Sequence, residues 1–359
     1  MRTIWVDFVA PKDAVFFKDM VNRLENRGDI VIATTRKFRE LNELMSLNNV
    51  KAEILGSYGG GTLKGKLVEG SKRIVKLAEY ISRFDVDVMV SYCSPEAARV
   101  AFGLQIPIIN IYDAPHAVKQ VLLLSKLVDV HLSPKCIPEE EWLKLGFKPE
   151  QLIFYDAVDP AAWLKNFSPN KMVIKNLGLN PDKKIVVFRA EEAFASYLLG
   201  KTSDDNPLIA PLIKEVLDID EELQIIVIIR YGRQKSSLRK LFSKIIIIDH
   251  VIDSASLISN STLFIGGGGT MSIEAALLGI PTISFFPGRL YYEDTFIKEE
   301  LLHHPKTVNE AKRLIKKIID QPREYLDECK KKARLLLDSM ENPTDRIIEI
   351  IDKILQSKK

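Results

Sequence analysis

Leu263-Phe264-Ile265-Gly266-Gly267-Gly268-Gly269-Thr270-Met271-Ser272-Ile273-Glu274-Ala275-Ala276-Leu277-Leu278-Gly279-Ile280-Pro281 decides the fold. It reads as a buried strand, a four-glycine turn, a helix, and a short turn into a further strand, Thr282 to Phe286. Consecutive glycines cost conformational entropy, so a fold keeps them where side chains cannot be tolerated. The commonest reason is that backbone N–H groups point into a cavity beside a helix N-terminus, where amides and helix dipole together make an anion site. Glu274 falls a turn into that helix, where a ribose or sugar hydroxyl could meet it. The stretch predicts a phosphate cradle for a nucleotide-linked ligand. The plain alternative is tight packing with Glu274 as a capping carboxylate, but packing alone rarely needs four glycines. The dinucleotide fingerprint fits poorly, because Met271 stands where a third glycine is wanted and the loop lies late in the chain. The P-loop pattern is absent, since no Lys-Ser or Lys-Thr closes the glycine run. A sugar-nucleotide site suits the turn better.

Working outward, 359 residues are long for one core, and two domains are expected. A hydrophobic fraction of 46% and a charged fraction of 28% are those of a soluble globular protein. The net charge of +3 is slight, so no nucleic-acid partner is expected. Cys93, Cys136 and Cys329 are far apart and in no metal-ligand spacing, which fits free thiols in a reducing cytosol. Arg2 and Asp7 interrupt the first apolar run, and no stretch approaches the ~20 apolar residues of a membrane span. A cytoplasmic location is expected.

A β-α-β-α-β rhythm opens the chain and argues for a parallel sheet. Its strands are Thr3 to Val9, Ile30 to Thr34 and Lys51 to Leu55. Its helices run from Asp13, as N-cap, to about Arg27, and from Arg36 to Leu47. A second glycine loop, Ser57 to Lys66, precedes a helix from about Leu67 to Phe84. It is either a mobile lip over a cleft, with Lys64 and Lys66 supplying charge, or a flexible connection. Strands follow at Asp87 to Ser91, Ile106 to Tyr112, Val130 to Ser133 and Ile153 to Tyr155. The polar stretch Asn166 to Lys184 reads as the boundary. The continuous apolar strands Lys184 to Phe188 and Leu223 to Ile229 then build a second sheet, each running into an arginine, Arg189 and Arg230. Open α/β sheets bind ligands at that carboxyl end. Ser94-Pro95-Glu96-Ala97-Ala98 with Ile106-Pro107 echoes Ser272-Ile273-Glu274-Ala275-Ala276 with Ile280-Pro281, which points to a duplicated architecture. The expected domains are 1–165 (acceptor side), 166–341 (nucleotide-sugar side) and a helix within 342–359 that packs toward the first domain. That helix carries Ile347, Ile348, Ile351, Ile354 and Leu355 on one face, and contact with the inner membrane surface through this face and the Lys-rich end is a secondary alternative.

Over nearly its whole length the chain resembles a mostly archaeal domain-of-unknown-function family of predicted glycosyltransferases. The carriers are Gly268-Gly269-Thr270-Met271, Glu274 to Gly279 and Pro281, supported by Arg189, Arg230 with Gln234, Arg99 to Gly103, and Pro11 with Phe16-Phe17. The family is similar to the lipid II glycosyltransferase and the non-hydrolysing UDP-N-acetylglucosamine 2-epimerase. This resemblance implies a GT-B-like α/β fold, two Rossmann-like parallel-sheet domains facing a cleft. By similarity Gly267, Gly268, Gly269 and Thr270 hold the diphosphate of a nucleotide sugar, UDP-linked by expectation, and Glu274 its ribose, with Arg189, Arg230 and Gln234 alongside. The family often carries histidines between the proline and the two phenylalanines, where this chain has Lys12-Asp13-Ala14-Val15, so no histidine base carries over. Ile273-Glu274-Ala275 replaces a usual Arg-Glu-Ala, and of the epimerase carboxylates only Asp113 falls near a matching position.

Glycosyl transfer needs the leaving diphosphate stabilised, the acceptor hydroxyl activated and water excluded. The glycine-turn amides with Arg189 or Arg230 supply the first without a metal or cofactor; a surface salt bridge is the alternative role for each arginine. Candidate bases are Asp113, which is preferred, Asp13, for which a helix cap is the favoured alternative, and His116, for which a structural loop role is. Asp204-Asp205 reads as solvated. The expected function is a metal-independent glycosyltransferase acting on a nucleotide sugar and an unidentified acceptor. An epimerase or hydrolase of the same ligand, or a non-catalytic nucleotide-sugar binder, are the alternatives.

Overall fold

Thirteen strands, all in parallel pairings, form two separate sheets in the computed structural model, which describes residues 2–190, 209–230, 232–267, 269–285, 288, 290–321 and 323–357. The first sheet contains β1 (Thr3–Phe8), β2 (Ile30–Lys37), β3 (Glu53–Ser57), β4 (Val88–Tyr92), β5 (Ile108–Ile111), β6 (Val130–Pro134) and β7 (Leu152–Tyr155). Its order is β3-β2-β1-β4-β5-β6-β7. The second contains β8 (Ile185–Arg189), β9 (Gln224–Ile228), β10 (Ile245–Ile248), β11 (Leu263–Gly266), β12 (Thr282–Ser284) and β13 (Leu302–His303), in the order β10-β9-β8-β11-β12-β13. In each sheet the chain runs outward over its first three strands and then returns to the other side of the first, which makes a topological switch point between β1 and β4 and between β8 and β11, the place where open parallel sheets bind ligands. The continuous apolar runs follow from helices covering both faces: β1, β4, β8 and β11 are buried almost throughout.

The chain divides into two compact units, Met1–Trp163 with Met340–Lys359, and Leu164–Ser339. The last helix, Pro343–Ser357, belongs to the first unit, where Asp352 bonds Arg2 and Arg27, and Asp345 bonds Arg23. Ile347, Ile348, Ile351 and Leu355 are buried there. That face is therefore occupied by packing, which removes it as a membrane-contact surface. Among the described residues no helix is long and apolar enough to cross a membrane.

Two local readings change. The first helix is broken at Phe17 into Pro11–Phe16 and Lys18–Asn26, so Asp13 lies inside its first turn and is not the N-cap. The helix after the second glycine loop begins at Leu63, because Thr62 caps it through Gly65 N–H at 3.0 Å; Lys64 and Lys66 are thus helical. A helix at Gly232–Leu241 follows Arg230 and carries Gln234.

The Asp7 that interrupts the first apolar strand is fully buried, and its charge is answered by Arg73, also buried, in a two-pronged ion pair of 2.5 and 3.0 Å. Thr34 and Ser94 donate hydroxyls to the same carboxylate at 2.5 and 2.6 Å, and Trp5 donates its indole N–H to Thr34. Arg73 Nε completes the network on the Leu55 carbonyl at 3.0 Å. Removing one partner of such a pair strands the other in low dielectric. Asp7→Asn should lower the stability of the first unit by about 3–5 kcal/mol, and the Asp7→Asn, Arg73→Met double variant by less than the sum of the singles. Denaturant titration of the intact chain measures both.

Candidate functional site

In the second unit the decisive stretch folds as β11, the turn, and the helix Thr270–Leu277. Gly269 precedes that helix with φ +83° and ψ −166°, a conformation open to glycine and strained for anything with a Cβ. No side chain caps the helix end, and Ser272 N–H returns to the Gly269 carbonyl at 3.2 Å. Helix geometry leaves the Thr270 and Met271 amides without intrahelical acceptors. Ser272 is buried beneath the turn with its hydroxyl unpartnered. Gly267 and Thr270 are partly exposed, whereas Gly268 lies outside the described residues. Glu274 is buried in the next turn of the helix.

Sheet register places Arg189 directly beside Gly266, and its Nη1 donates to the Ile229 carbonyl at 3.3 Å. Arg230 stands past the end of β9, with its amide held by Gln234 Oε1 at 3.0 Å. Gln234 is fully buried, so its side chain shapes the turn that carries Arg230. Ser284, at the end of β12, donates to Glu293 at 2.6 Å, and the other Glu293 oxygen meets His304 Nδ1 at 3.1 Å. Residues 291 to 304 carried no such signal in sequence, because Ser284 and His304 are joined only through a carboxylate from another element.

The echo between the two halves occupies equivalent positions, since β4-β5 and β11-β12 are the same neighbours in their sheets. Gln105 at φ +57° and Gly279 at φ +74° both precede the Ile-Pro step. The helix starts differ. Ser94 caps its own helix by accepting from Ala97 N–H at 3.3 Å, while Gly269 brings no side chain to do so. Of the two, the second unit's helix end is the one without a side-chain cap.

In the first unit the carboxyl ends of β1, β4, β5 and β7 bring together Lys12, Tyr92, Asp113, Tyr155 and Asp159. Lys12 Nζ bonds Asp113 at 2.8 Å and Tyr92 Oη at 2.6 Å, and pairs with Asp159. Tyr92 and Tyr155 both donate to Asp159. Burial opposes the charge on Asp113, but Lys12 outweighs it and holds the carboxyl below its ordinary value; Asp159, the more deeply buried, is pushed up. Burial likewise lowers His116 against the pull of Asp113, which leaves its imidazole neutral near pH 7. Asp113 and His116 therefore share one corner, and the preferred base is a carboxylate already committed to a lysine. Lys12 and Asp159 escaped the sequence reading because they meet across more than a hundred residues of chain.

Asp13 is fully buried. Its Oδ2 accepts the Val9 and Ala10 amides at 2.7 and 3.0 Å, and its Oδ1 has no partner. Burial pushes its carboxyl up to about 7, with the backbone bonds and Lys12 pulling the other way. Among the described residues no group of three or more His, Cys, Asp or Glu is placed to hold a metal ion; Asp204 and Asp205 lie outside them.

A raised folded-state value means that the native chain holds a proton which the unfolded chain releases between about pH 4 and 7. Stability from Asp13 is present below that window and lost as pH rises through it. Asp13→Asn should flatten the pH dependence of the melting temperature across the window and raise it above pH 7. Gly269→Ala should cost about 1–3 kcal/mol at its strained φ, visible in the melting of the second unit.

The family model described as Protein of unknown function (DUF354) matches residues 2–356. Uncharacterized protein MJ0665 of Methanocaldococcus jannaschii is 30% identical over 360 residues, covering 98% of each chain. S. aureus MnaA, in its UDP co-structure, aligns over 99% of this chain and 97% of its own with TM-score 0.74 at 18% identity. The Methanocaldococcus jannaschii UDP-GlcNAc 2-epimerase in complex with UDP-GlcNAc and UDP aligns over 98% and 99% with TM-score 0.73 at 14% identity. The glycotransferase of kitacinnamycin aligns over 99% of each chain with TM-score 0.63 at 12% identity. These likenesses bear on the fold, and with the two strand orders they bear out the GT-B-like expectation of two Rossmann-like parallel-sheet domains. The chain belongs to the DUF354 family of proteins of unknown function.

Proposed function

We propose that this protein is a glycosyltransferase that takes its sugar from a nucleotide diphosphate, UDP in the first instance. The reading is carried by the turn at Gly269, which leaves the amides of Thr270 and Met271 at an uncapped helix end with Arg189 in register beside it. Those donors suit the charge that develops on a departing diphosphate, Gly267, Gly269 and Thr270 approach it closely, and Arg230 adds a second guanidinium. Glu274 supplies the carboxylate for ribose hydroxyls.

Transfer is favoured over epimerisation by the state of the acids in the first unit. An epimerase must move protons at carbon on both faces of a sugar, whereas Asp113 and Asp159 are both engaged by Lys12. Asp13 is the acid with a value matched to neutral pH and an oxygen without a donor, as a single base for one acceptor hydroxyl requires. In this reading the acceptor displaces the packing over the β1 turn and bonds Asp13 Oδ1, while Asp113 and Lys12 orient it and neutral His116 lines the approach.

The test is incubation with UDP-sugars and candidate acceptors. Acceptor-dependent UDP release should rise with pH through an apparent pKa near 7. Asp13→Asn should lose that limb and about 10²–10⁴-fold in rate, with UDP affinity kept. Release of UDP without acceptor would assign a hydrolase, and a C2 epimer an epimerase. Failure of UDP to raise the melting temperature would remove the nucleotide reading altogether.

A further inference from the structure

The glycine loop between β3 and the helix Leu63–Ile81 takes no part in the function proposed above, yet it is built to tight tolerance. A Cβ on Gly59 would lie 2.4 Å from Lys66 Cα, and one on Gly65 2.3 Å from the Gly59 carbonyl oxygen, so the loop lies flat on the first helical turn. Tyr58 is held there by stacking on Phe38, ring centroids 4.6 Å apart, and by its amide on the Lys37 carbonyl. Against this ring lie two cations, the Arg36 guanidinium at 5.2 Å and Lys66 Nζ at 5.6 Å from the centroid.

Arg36 is the unusual member. Its Nη2 donates to the Val9 carbonyl at 2.6 Å, but its Nε is buried without an acceptor. Among the described residues no carboxylate makes an ion pair with it. Asp7 and Glu96 attract it only from further away, and Asp7 is already bonded to Arg73. Burial lowers the pKa of both cations, and the charge of Arg36 lowers that of Lys66 further, so each would gain from an anion between them. Thr62 caps only the Gly65 amide, and helix geometry leaves those of Leu63 and Lys64 unspent within this 19-residue helix. Val9, which receives Arg36, is also the residue whose amide is bound by Asp13.

We infer that Arg36, Lys66 and the start of the Leu63–Ile81 helix form a second anion site, which takes a phosphate or diphosphate group. Arg36 supplies guanidinium charge and a donor for a phosphate oxygen, the helix start adds amides and dipole, and the Tyr58 ring forms a wall. Calling this ligand the acceptor rests on the transferase reading; the anion site itself does not. Because Leu63 and Leu67 are 67% and 72% exposed beside it, the phosphate can come from a soluble sugar phosphate or from a lipid headgroup.

The full chain is titrated calorimetrically with inorganic pyrophosphate, with UDP saturating and again without it. UDP-loaded wild type should bind pyrophosphate; Arg36→Gln and Lys66→Gln should each weaken it by about tenfold, as loss of a charged hydrogen bond predicts, and Arg36→Lys should keep part of the affinity. UDP affinity should be unchanged in all three. No saturable binding by UDP-loaded wild type, or equal binding by Arg36→Gln and Lys66→Gln, overturns the site. Absence of UDP binding with Arg36-dependent pyrophosphate binding intact fails the nucleotide reading and leaves this one standing. A hexose 1-phosphate and phosphatidylcholine vesicles doped with a prenyl phosphate separate the sources. Arg36-dependent affinity for the first assigns a soluble ligand, and Arg36-dependent capture on doped but not plain vesicles a lipid.

Discussion

The buried pair of Asp7 and Arg73 is the constraint on which the first unit's arrangement depends. A carboxylate in the middle of a central strand would be intolerable in an apolar core, and here four side-chain donor groups from three other elements surround it. Satisfying that one charge fixes the end of β1, the height of the Leu63–Ile81 helix through Arg73, and the start of the Pro95–Gly103 helix through Ser94. The β1 turn with Lys12 and Asp13 and the loop with Tyr58 are held relative to one another because their supporting elements meet on Asp7. A network of this kind contributes little net stability compared with apolar packing, but it tolerates few alternative arrangements.

The two halves then show one topology put to different uses. Both place a helix start after a central strand, at the point where polypeptide amides are cheapest to present to a ligand. In the first unit Ser94 closes that start and donates onward to Asp7, turning a potential anion site into part of the scaffold. In the second unit Gly269 leaves it open. The titratable groups gathered in the first unit are side chains instead, and the acids are sorted by their surroundings. Asp113 is kept charged by Lys12, Asp159 is pushed the other way in the same cluster, and Asp13 is raised by burial in a turn whose amides use one of its oxygens.

The strands and the glycine turn were legible because they are local: apolar runs bounded by glycine and proline, with arginines at their carboxyl ends, give the same reading alone or in context. Boundaries shifted where capping decided them, as at Thr62, whose hydroxyl starts the helix four residues before the apolar pattern becomes clear. Asp13 was read as a cap, and it does bind two backbone amides, but from inside the helix rather than ahead of it. Gln234 was grouped with ligand residues by resemblance, while its side chain is buried on the Arg230 amide.

The sequence by itself determined the alternation of parallel strands and helices, the duplicated plan and the turn that only glycine can make, because each follows from periodicity or backbone freedom within a short window. Tertiary structure alone decided which charges meet. Lys12 with Asp113 and Asp159, Asp7 with Arg73, and Arg36 with Tyr58 and Lys66 are pairings across distant chain segments, set by strand order and burial. Desolvation and partner charge, which give each acid its strength, exist only once those segments are packed together.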